Sequence, residues 1–165
     1  MKLGQDASKA LRTVGGGGAV VYLTTSSRSG NPNTVGERFV TLYKEEFILI
    51  AEMFAQKTRV NINENPHGVI TLAHPVKGRT WVFSGPITIL QEGHEPGATW
   101  EGLDVAETLS EWGDWATKEP PSEVPPDIRP PALVQRGVIA LRVTSLTDFH
   151  PDRAGEPLHI GGPAN

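Results

Sequence analysis

The sequence predicts a mainly β protein, built as a closed antiparallel barrel of six strands. Runs of β-branched and apolar residues of strand length recur along the chain, and the turns that separate most of them are short. Only one short helix is expected between these strands, at residues 57–66, which argues against a parallel sheet with crossover helices. At 165 residues the chain suits one domain with one sizeable core, so we predict a single domain over 1–165.

The predicted elements follow one another in a simple order. A short helix is expected at 6–13, and the glycines at 15–18 are interpreted as a hinge, because they lack the preceding strand and the Gly-Lys-Ser/Thr ending of a phosphate loop. A dense turn signal at 29–33 precedes the second strand. The predicted strands are 19–25, 34–42, 47–51, 69–73, 80–90 and 138–149.

Residues 92–136 differ in composition from the rest of the chain. They hold seven of the 14 prolines and three of the four tryptophans. Apolar residues at 103, 106, 109, 112 and 115 predict a helix within 102–118, and paired prolines then favour an extended course. We interpret the segment as a helical insertion in the barrel whose tryptophans line a core, a subunit interface or a planar ligand. The tail, 150–165, is expected to be irregular.

Charge and composition exclude several function classes. Fifteen Lys and Arg stand against 19 Asp and Glu, a formal net charge of -4 that gives no reason to expect nucleic acid as a partner. The sequence contains no apolar run long enough to cross a bilayer and no signal-peptide pattern, so no membrane partner and a cytoplasmic location are expected. Cysteine is absent and the five histidines form no zinc-protease pattern, so no metal site is expected.

The most informative segment is 57–66, which lies between two apolar strands. It opens with Lys57, Thr58 and Arg59 and ends at Asn65-Pro66. Free N–H groups and the positive end of a helix dipole make such a start a good place for a phosphate. The two cations add charge and the Thr58 hydroxyl adds a neutral donor. We therefore predict an anion site at this helix start.

No side-chain constellation for catalysis stands out, and the catalytic residues stay unassigned. Asp104 and Glu107 are spaced as a carboxylate pair, but a solvated helix face explains them more simply. Gly85, within the fifth strand, is interpreted as a bulge or a close backbone approach. His74 follows a strand and is interpreted as a turn residue, with a cavity-facing position as the alternative.

Three motifs, taken in order, resemble the FMN-binding split-barrel proteins related to pyridoxamine 5'-phosphate oxidase. They are the turn and strand start at 29–35, the apolar strand at 47–52 and the segment 57–66. The resemblance spans 19–90 and resumes at 138–148. It implies a six-stranded Greek-key split barrel that forms a homodimer and binds one FMN in each of two clefts between subunits. An FMN-dependent oxidoreductase that acts on a small molecule is the function it implies.

The resemblance also implies positions for the cofactor. Lys57 and Thr58 match the residues that hold the flavin phosphate, and Arg59 would add charge. The residues implied to run beside the cofactor are Thr34, Val35, Gly36, Ala51, Glu52 and Met53. The extra arginines and the C-terminal segment of the oxidase itself find no counterpart, so oxidation of pyridoxamine phosphate is not expected.

Two alternatives stay open at this point. A split barrel with this pattern could instead bind the deazaflavin F420, or haem with His74 or a tail histidine as the axial ligand. Alternatively, the barrel could have lost its cofactor and serve as an interaction protein, with the insertion 92–136 as its binding surface.

Overall fold

In the computed structural model, the described residues are 3–12, 20–53, 56–118, 134–150 and 158–159. They form the strands β1 (Val20–Ser26), β2 (Pro32–Glu37), β3 (Val40–Tyr43), β4 (Phe47–Glu52), β5 (His67–His74), β6 (Arg79–Leu90), β7 (Thr99–Trp100), β8 (Leu103–Asp104), β9 (Gly137–Arg142), β10 (Ser145–Phe149) and β11 (Leu158–His159). The helices are α1 (Gln5–Arg12), α2 (Gln56–Glu64), α3 (Val105–Trp112) and α4 (Trp115–Lys118), with a 3-10 turn at Pro75–Lys77. The predicted mainly β class is confirmed.

One curled antiparallel sheet holds most of the strands, in the order β2-β1-β5-β6-β9-β4-β3. The twelve-residue strand β6 serves both halves of this sheet. Its first part pairs with β5 and β10, and its last four residues pair with β9. The end strands β2 and β3 are separated by a bend at Arg38 and Phe39 and belong to different halves. The barrel is therefore split, where composition and pattern alone predicted a closed one.

Two of the six predicted strands are each divided in two. The strand predicted at 34–42 breaks at the bend after β2, because β2 pairs with β1 while β3 pairs with β4. The strand predicted at 138–149 breaks at Val143 and Thr144, where the chain leaves β9 and starts β10 along the other half of β6. Each break lets one length of chain serve both halves of the curled sheet.

The close backbone approach predicted at Gly85 is confirmed. An ideal Cβ on Gly85 would lie 1.9 Å from the carbonyl oxygen of Arg142, the last residue of β9. Thr144 reinforces this corner, since its backbone N–H donates to the carbonyl of Ser84 at 2.9 Å. A residue without a side chain is therefore required where β6 passes the crossing from β9 to β10.

Two apolar clusters share the strand β4. The side chains of Ile48 and Ile50 belong to the cluster inside the barrel, which α1 caps with Leu11. Phe47 and Leu49 point to the other side and belong to a second cluster with Leu103, Val105, Leu90, Val138 and Ala140. Both faces of β4 are buried because the barrel covers one and the insertion covers the other.

The insertion begins with the hairpin β7–β8 and continues into two helices, where one helix was predicted over most of 102–118. Asp104 caps α3, accepting a hydrogen bond from the Glu107 backbone N–H at 2.8 Å. Val105 and Thr108 form the buried face, and Ala106, expected in the apolar stripe, is exposed. The chain turns at Gly113 before α4, which ends the helical periodicity that the sequence suggested.

Parts of the tail and of the first segment lie outside the described residues, among them the predicted hinge at 15–18. In the tail predicted to be irregular, β11 pairs with Thr147 and Asp148 of β10, which gives that strand a second partner. No helix in the described ranges is both long and apolar enough to span a membrane.

Candidate functional site

The helix α2 is fixed against strand β1 by two side-chain amides. Asn61 Nδ2 donates to Thr25 Oγ1 at 3.2 Å, and both residues are buried. Asn65 Nδ2 donates to Ser26 Oγ at 2.9 Å. These contacts hold the middle and the end of α2 against the end of β1, and the buried Asn61 amide finds the partner that burial requires.

A cleft of about 720 Å³ lies between the turn that joins β1 to β2 and α2. Ser27, Ser29 and Asn31 line it from the turn, and Lys57 lines it from the helix. Within the described part of the chain, the exposed Lys57 ammonium has no carboxylate at ion-pair distance. Glu64 lies at the far end of the cleft, where it accepts a hydrogen bond from the Arg28 backbone N–H at 3.2 Å. The lining thus combines one free cation with several neutral donors.

Thr58 lies beneath this cleft and not at its surface. Its side chain is 1% exposed, and its Oγ1 accepts a hydrogen bond from Asn33 Nδ2 of β2 at 3.0 Å. The hydroxyl therefore ties the first turn of α2 to β2. In this position Thr58 fixes the direction of the helix start relative to the strand, in addition to any contact with a ligand.

A second cavity, of about 290 Å³, lies where the end of β2 meets the end of β4. It brings together five of the residues predicted to run beside the cofactor: Val35, Gly36, Ala51, Glu52 and Met53. Glu37 and Arg38 complete the lining. Gly36 and Ala51 contribute little side-chain bulk to the lining, and β2 is an end strand of the sheet, paired only with β1 among the described strands.

Arg59 points away from the cleft and binds the cavity wall. Its Nη2 lies 2.7 Å from Oε2 of Glu52, which is 2% exposed, and its Nη1 donates to Gln91 Oε1 at 2.7 Å. A buried carboxylate needs a compensating charge, and Arg59 supplies it. The prediction that Arg59 meets a phosphate is untested, but its charge is already shared with Glu52.

Sequence reasoning missed two cavity residues, Arg38 and Glu37, and Glu37 is the one with a shifted pKa. Burial, followed by the nearby Glu52 charge, raises the pKa of the Glu37 carboxyl from 4.5 to about 7. The side chain points inward because it lies two residues after Val35 on the same face of β2. The alternation of the strand could have identified this residue, because it places a carboxyl group at an inward position of a strand that ends at the predicted site.

Thr34 lies on the opposite face of β2 from Val35. Its Oγ1 is 2.9 Å from Oγ1 of Thr24 in β1, on the outside of the sheet. The structure thus groups five predicted residues in one cavity, places Lys57 in the adjacent cleft and Thr58 between strand and helix, and leaves Thr34 and Arg59 facing elsewhere. None of these positions by itself tests a role in cofactor binding.

Comparisons with known proteins identify the fold. The HupZ protein of group A Streptococcus superposes with a TM-score of 0.68 at 16% identity, covering 96% of this chain and 99% of that one. A pyridoxamine 5'-phosphate oxidase-related, FMN-binding protein from Nostoc punctiforme superposes with a TM-score of 0.63 at 14% identity, covering 93% and 89%. The chain has the split-barrel fold of these proteins.

Sequence comparison gives less detail than the split-barrel superposition. An uncharacterised protein of Methanocaldococcus jannaschii is 28% identical over 148 residues, which cover 88% of this chain and 80% of that protein. No protein-family model matches the chain. The split-barrel assignment therefore rests on structure, and it agrees with the resemblance seen in the three motifs.

The donor set of this split barrel fits an FMN molecule at two points. The cleft offers an ammonium, hydroxyls and an amide beside a helix start, which are the groups that bind phosphate. The cavity offers backbone and carboxyl groups of β2 and β4 beside small side chains, which suit the polar edge of a flat ring.

The tryptophans of the insertion pack within the split barrel's second cluster. The ring centroids of Trp112 and Trp115 are 4.9 Å apart, and those of Trp112 and Tyr43 are 6.3 Å apart, both edge to face. Trp100 packs against Phe47 with centroids 6.3 Å apart. The core interpretation of these residues is therefore favoured over a stack on a planar ligand.

A third cavity, of about 560 Å³, lies between α3 and the start of β9. Gln135 crosses it, donating to the carbonyls of Trp112 and Gly137 and accepting from the Ala116 N–H.

None of the three cavities is lined by a histidine, His74 included. Among the described residues, no group of three or more His, Asp and Glu side chains is arranged to hold a metal ion.

Proposed function

We propose that the protein is a homodimeric flavoprotein that binds FMN and acts as an oxidoreductase on a small molecule. The observation that carries this proposal is that strand β2 contributes to two features: its start lines a cleft with the free Lys57 cation at a helix start, and its end lines a cavity together with the end of β4. A phosphate and a flat polar ring joined by a flexible chain match this pair of features.

In the proposed complex, each element of the site has a separate task. Lys57 neutralises the phosphate, with the hydroxyls of Ser27 and Ser29 as neutral donors. Thr58 holds the helix start against β2, through its bond to Asn33. Backbone groups from Val35 to Gly36 and from Ala51 to Met53 orient the ring. When bound, the flavin supplies the hydride or electron transfer.

The proposed dimer follows from the size and the setting of the cavity. At about 290 Å³ it is just smaller than the roughly 300–1,000 Å³ typical of ligand pockets. Strand β1, beside β2, presents the apolar side chains of Val20 and Tyr22, which are 40% and 42% exposed within this protomer. A second copy of the chain on this face would cover both residues and extend the cavity.

The first test is the visible spectrum of freshly purified protein, followed by release and mass measurement of any bound chromophore. We expect the absorption bands of an oxidised flavin and the mass of FMN. A haem spectrum or the mass of F420 would assign the split barrel to one of those ligands. Protein that carries no chromophore and does not bind added FMN at micromolar concentration would favour the cofactor-free interaction protein.

The second test removes the cation from the cleft. We expect Lys57→Ala to weaken FMN binding about tenfold or more, because a charge-assisted hydrogen bond contributes roughly 1.5–3 kcal/mol. Riboflavin, which lacks the phosphate, should lose much less affinity. Lys77→Ala, at the exposed 3-10 turn, is the matched control. Equal affinities of wild type and Lys57→Ala for FMN, measured by fluorescence titration, would contradict the site assignment.

A further inference from the structure

Two carboxyl groups face the same small cavity but have different surroundings. The Glu52 carboxylate is paired with Arg59 at 2.7 Å, and its backbone carbonyl accepts the Arg136 N–H at 2.8 Å. In the described ranges, no hydrogen bond or ion pair compensates the Glu37 carboxyl, whose environment is set by burial and by the Glu52 charge. When two carboxyl groups face one cavity, the negative charge of one disfavours the ionised form of the other.

The charged groups around Glu37 come from three elements. Arg38 lies on the same segment and lines the cavity, Glu52 comes from β4, and Arg59 reaches in from α2 with its guanidinium bound to Glu52. Burial is the larger influence on the Glu37 carboxyl, and the Glu52 charge adds to it in the same direction. Both influences favour the protonated form and raise the pKa of the Glu37 carboxyl to about 7.

A neutral carboxylic acid in such a cavity has a use that a carboxylate lacks. It can donate a hydrogen bond, whereas an ionised carboxylate can only accept one. The polar edge of an oxidised flavin ring carries two carbonyl oxygens and two ring nitrogens that accept hydrogen bonds, besides one N–H that donates. A carboxylate at the same place would repel these acceptors.

We propose that Glu37 is the hydrogen-bond donor of the cavity, holding a proton that it presents to an acceptor on the bound flavin ring. The inference rests on the proposed FMN function and deepens it by assigning this chain's own donor to the ring edge. Glu52 is then a positioning residue: its carboxylate, held in the cavity wall by Arg59, adds to the effect of burial in favouring the protonated form of Glu37.

The test compares FMN affinity across pH 5.5–8.5 in wild type, Glu37→Gln and Glu95→Gln. The glutamine amide donates at every pH, and Glu95 lies on an exposed loop, so Glu95→Gln controls for the change in charge. Titration of the FMN phosphate is common to all three proteins and cancels in the ratios. Relative to Glu37→Gln, we expect wild-type affinity to fall about fivefold as pH rises from 6 to 8.5, the size of one hydrogen bond. Glu95→Gln should follow wild type.

The outcomes separate the inference from the proposed function. FMN bound by all three proteins with parallel pH profiles would overturn the role of Glu37 and leave FMN binding in place. Absence of FMN binding at any pH in all three would overturn the proposed function, and the role of Glu37 with it. A carbon-13 titration of the Glu37 carboxyl in the cofactor-free protein adds a readout without ligand: titration in the ordinary glutamate range would also overturn the inference.

Discussion

At the scale of single residues, folding changes the pKa of the Glu37 carboxyl. In the unfolded chain it titrates with its ordinary pKa of 4.5, whereas burial and Glu52 raise the pKa in the folded chain to about 7. Between these values the folded protein binds more protons than the unfolded protein. Its contribution to stability is therefore fully present below pH 4.5 and is lost as pH rises through about 7.

This linkage predicts a difference between wild type and Glu37→Gln in the cofactor-free protein. As pH rises from 5 to 8, the free energy of unfolding of wild type should fall relative to that of Glu37→Gln, because the variant has no group to ionise there. Urea denaturation at four pH values measures the difference. A constant difference, or one of the opposite slope, would contradict the raised pKa.

The residues of the site also show what a sequence can predict. The segments around Val35 and Ala51 could be placed together, because the resemblance to split-barrel proteins implied that both run beside one ligand. The ion pair between Arg59 and Glu52 could not be predicted from the sequence, because it depends on how α2 packs over the end of β4. A cation at a helix start suggests an anion, but a protein carboxylate can be that anion.

Among the elements, β6 is the strand on which both halves of the sheet depend. Gly85 lies where its pairing passes from β10 to β9, with a bare backbone facing the carbonyl of Arg142. The strand itself was predictable from its apolar alternation. The break between β9 and β10 was not predictable, because Val143 and Thr144 are not typical turn residues. The strand is interrupted there only because the sheet curls.

Substitution of Gly85 tests this crossing. We expect Gly85→Ala to lower the free energy of unfolding by about 3 kcal/mol, since the new methyl group would overlap a backbone oxygen that cannot move without separating strands. Gly4→Ala is the matched control, because an added Cβ there meets nothing within 4 Å. Chemical denaturation compares the two variants. Equal stabilities would mean that the β9–β10 corner can shift at little cost.

For the whole molecule, the proposed association of two copies is the property to test. We expect Tyr22→Glu to weaken the dimer by about 2–4 kcal/mol, because it places a charge on the apolar face of β1 that the second copy would cover. FMN affinity should fall with it if the cavity is completed by the partner. Light scattering after size-exclusion chromatography over a range of concentrations gives the association state.

The control for this variant is Val76→Glu, at a side chain that is 88% exposed on the 3-10 turn. It should leave both the mass and the FMN affinity unchanged. A monomeric wild-type protein that still binds FMN would contradict the dimer while leaving the cofactor assignment intact.

The double burial of β4 has a consequence for how this molecule could be simplified. Phe47 and Leu49 contact the insertion, and Ile48 and Ile50 contact the barrel interior. Both apolar clusters therefore depend on strand β4 and its six residues. The last of those residues is Glu52, in the cavity wall. Deleting the insertion would expose one face of β4 to solvent. This change would also disturb the position of Glu52 at the end of the strand. The tryptophan-rich segment is thus a structural neighbour of the cavity, and loss of a function on deleting it would not locate that function there.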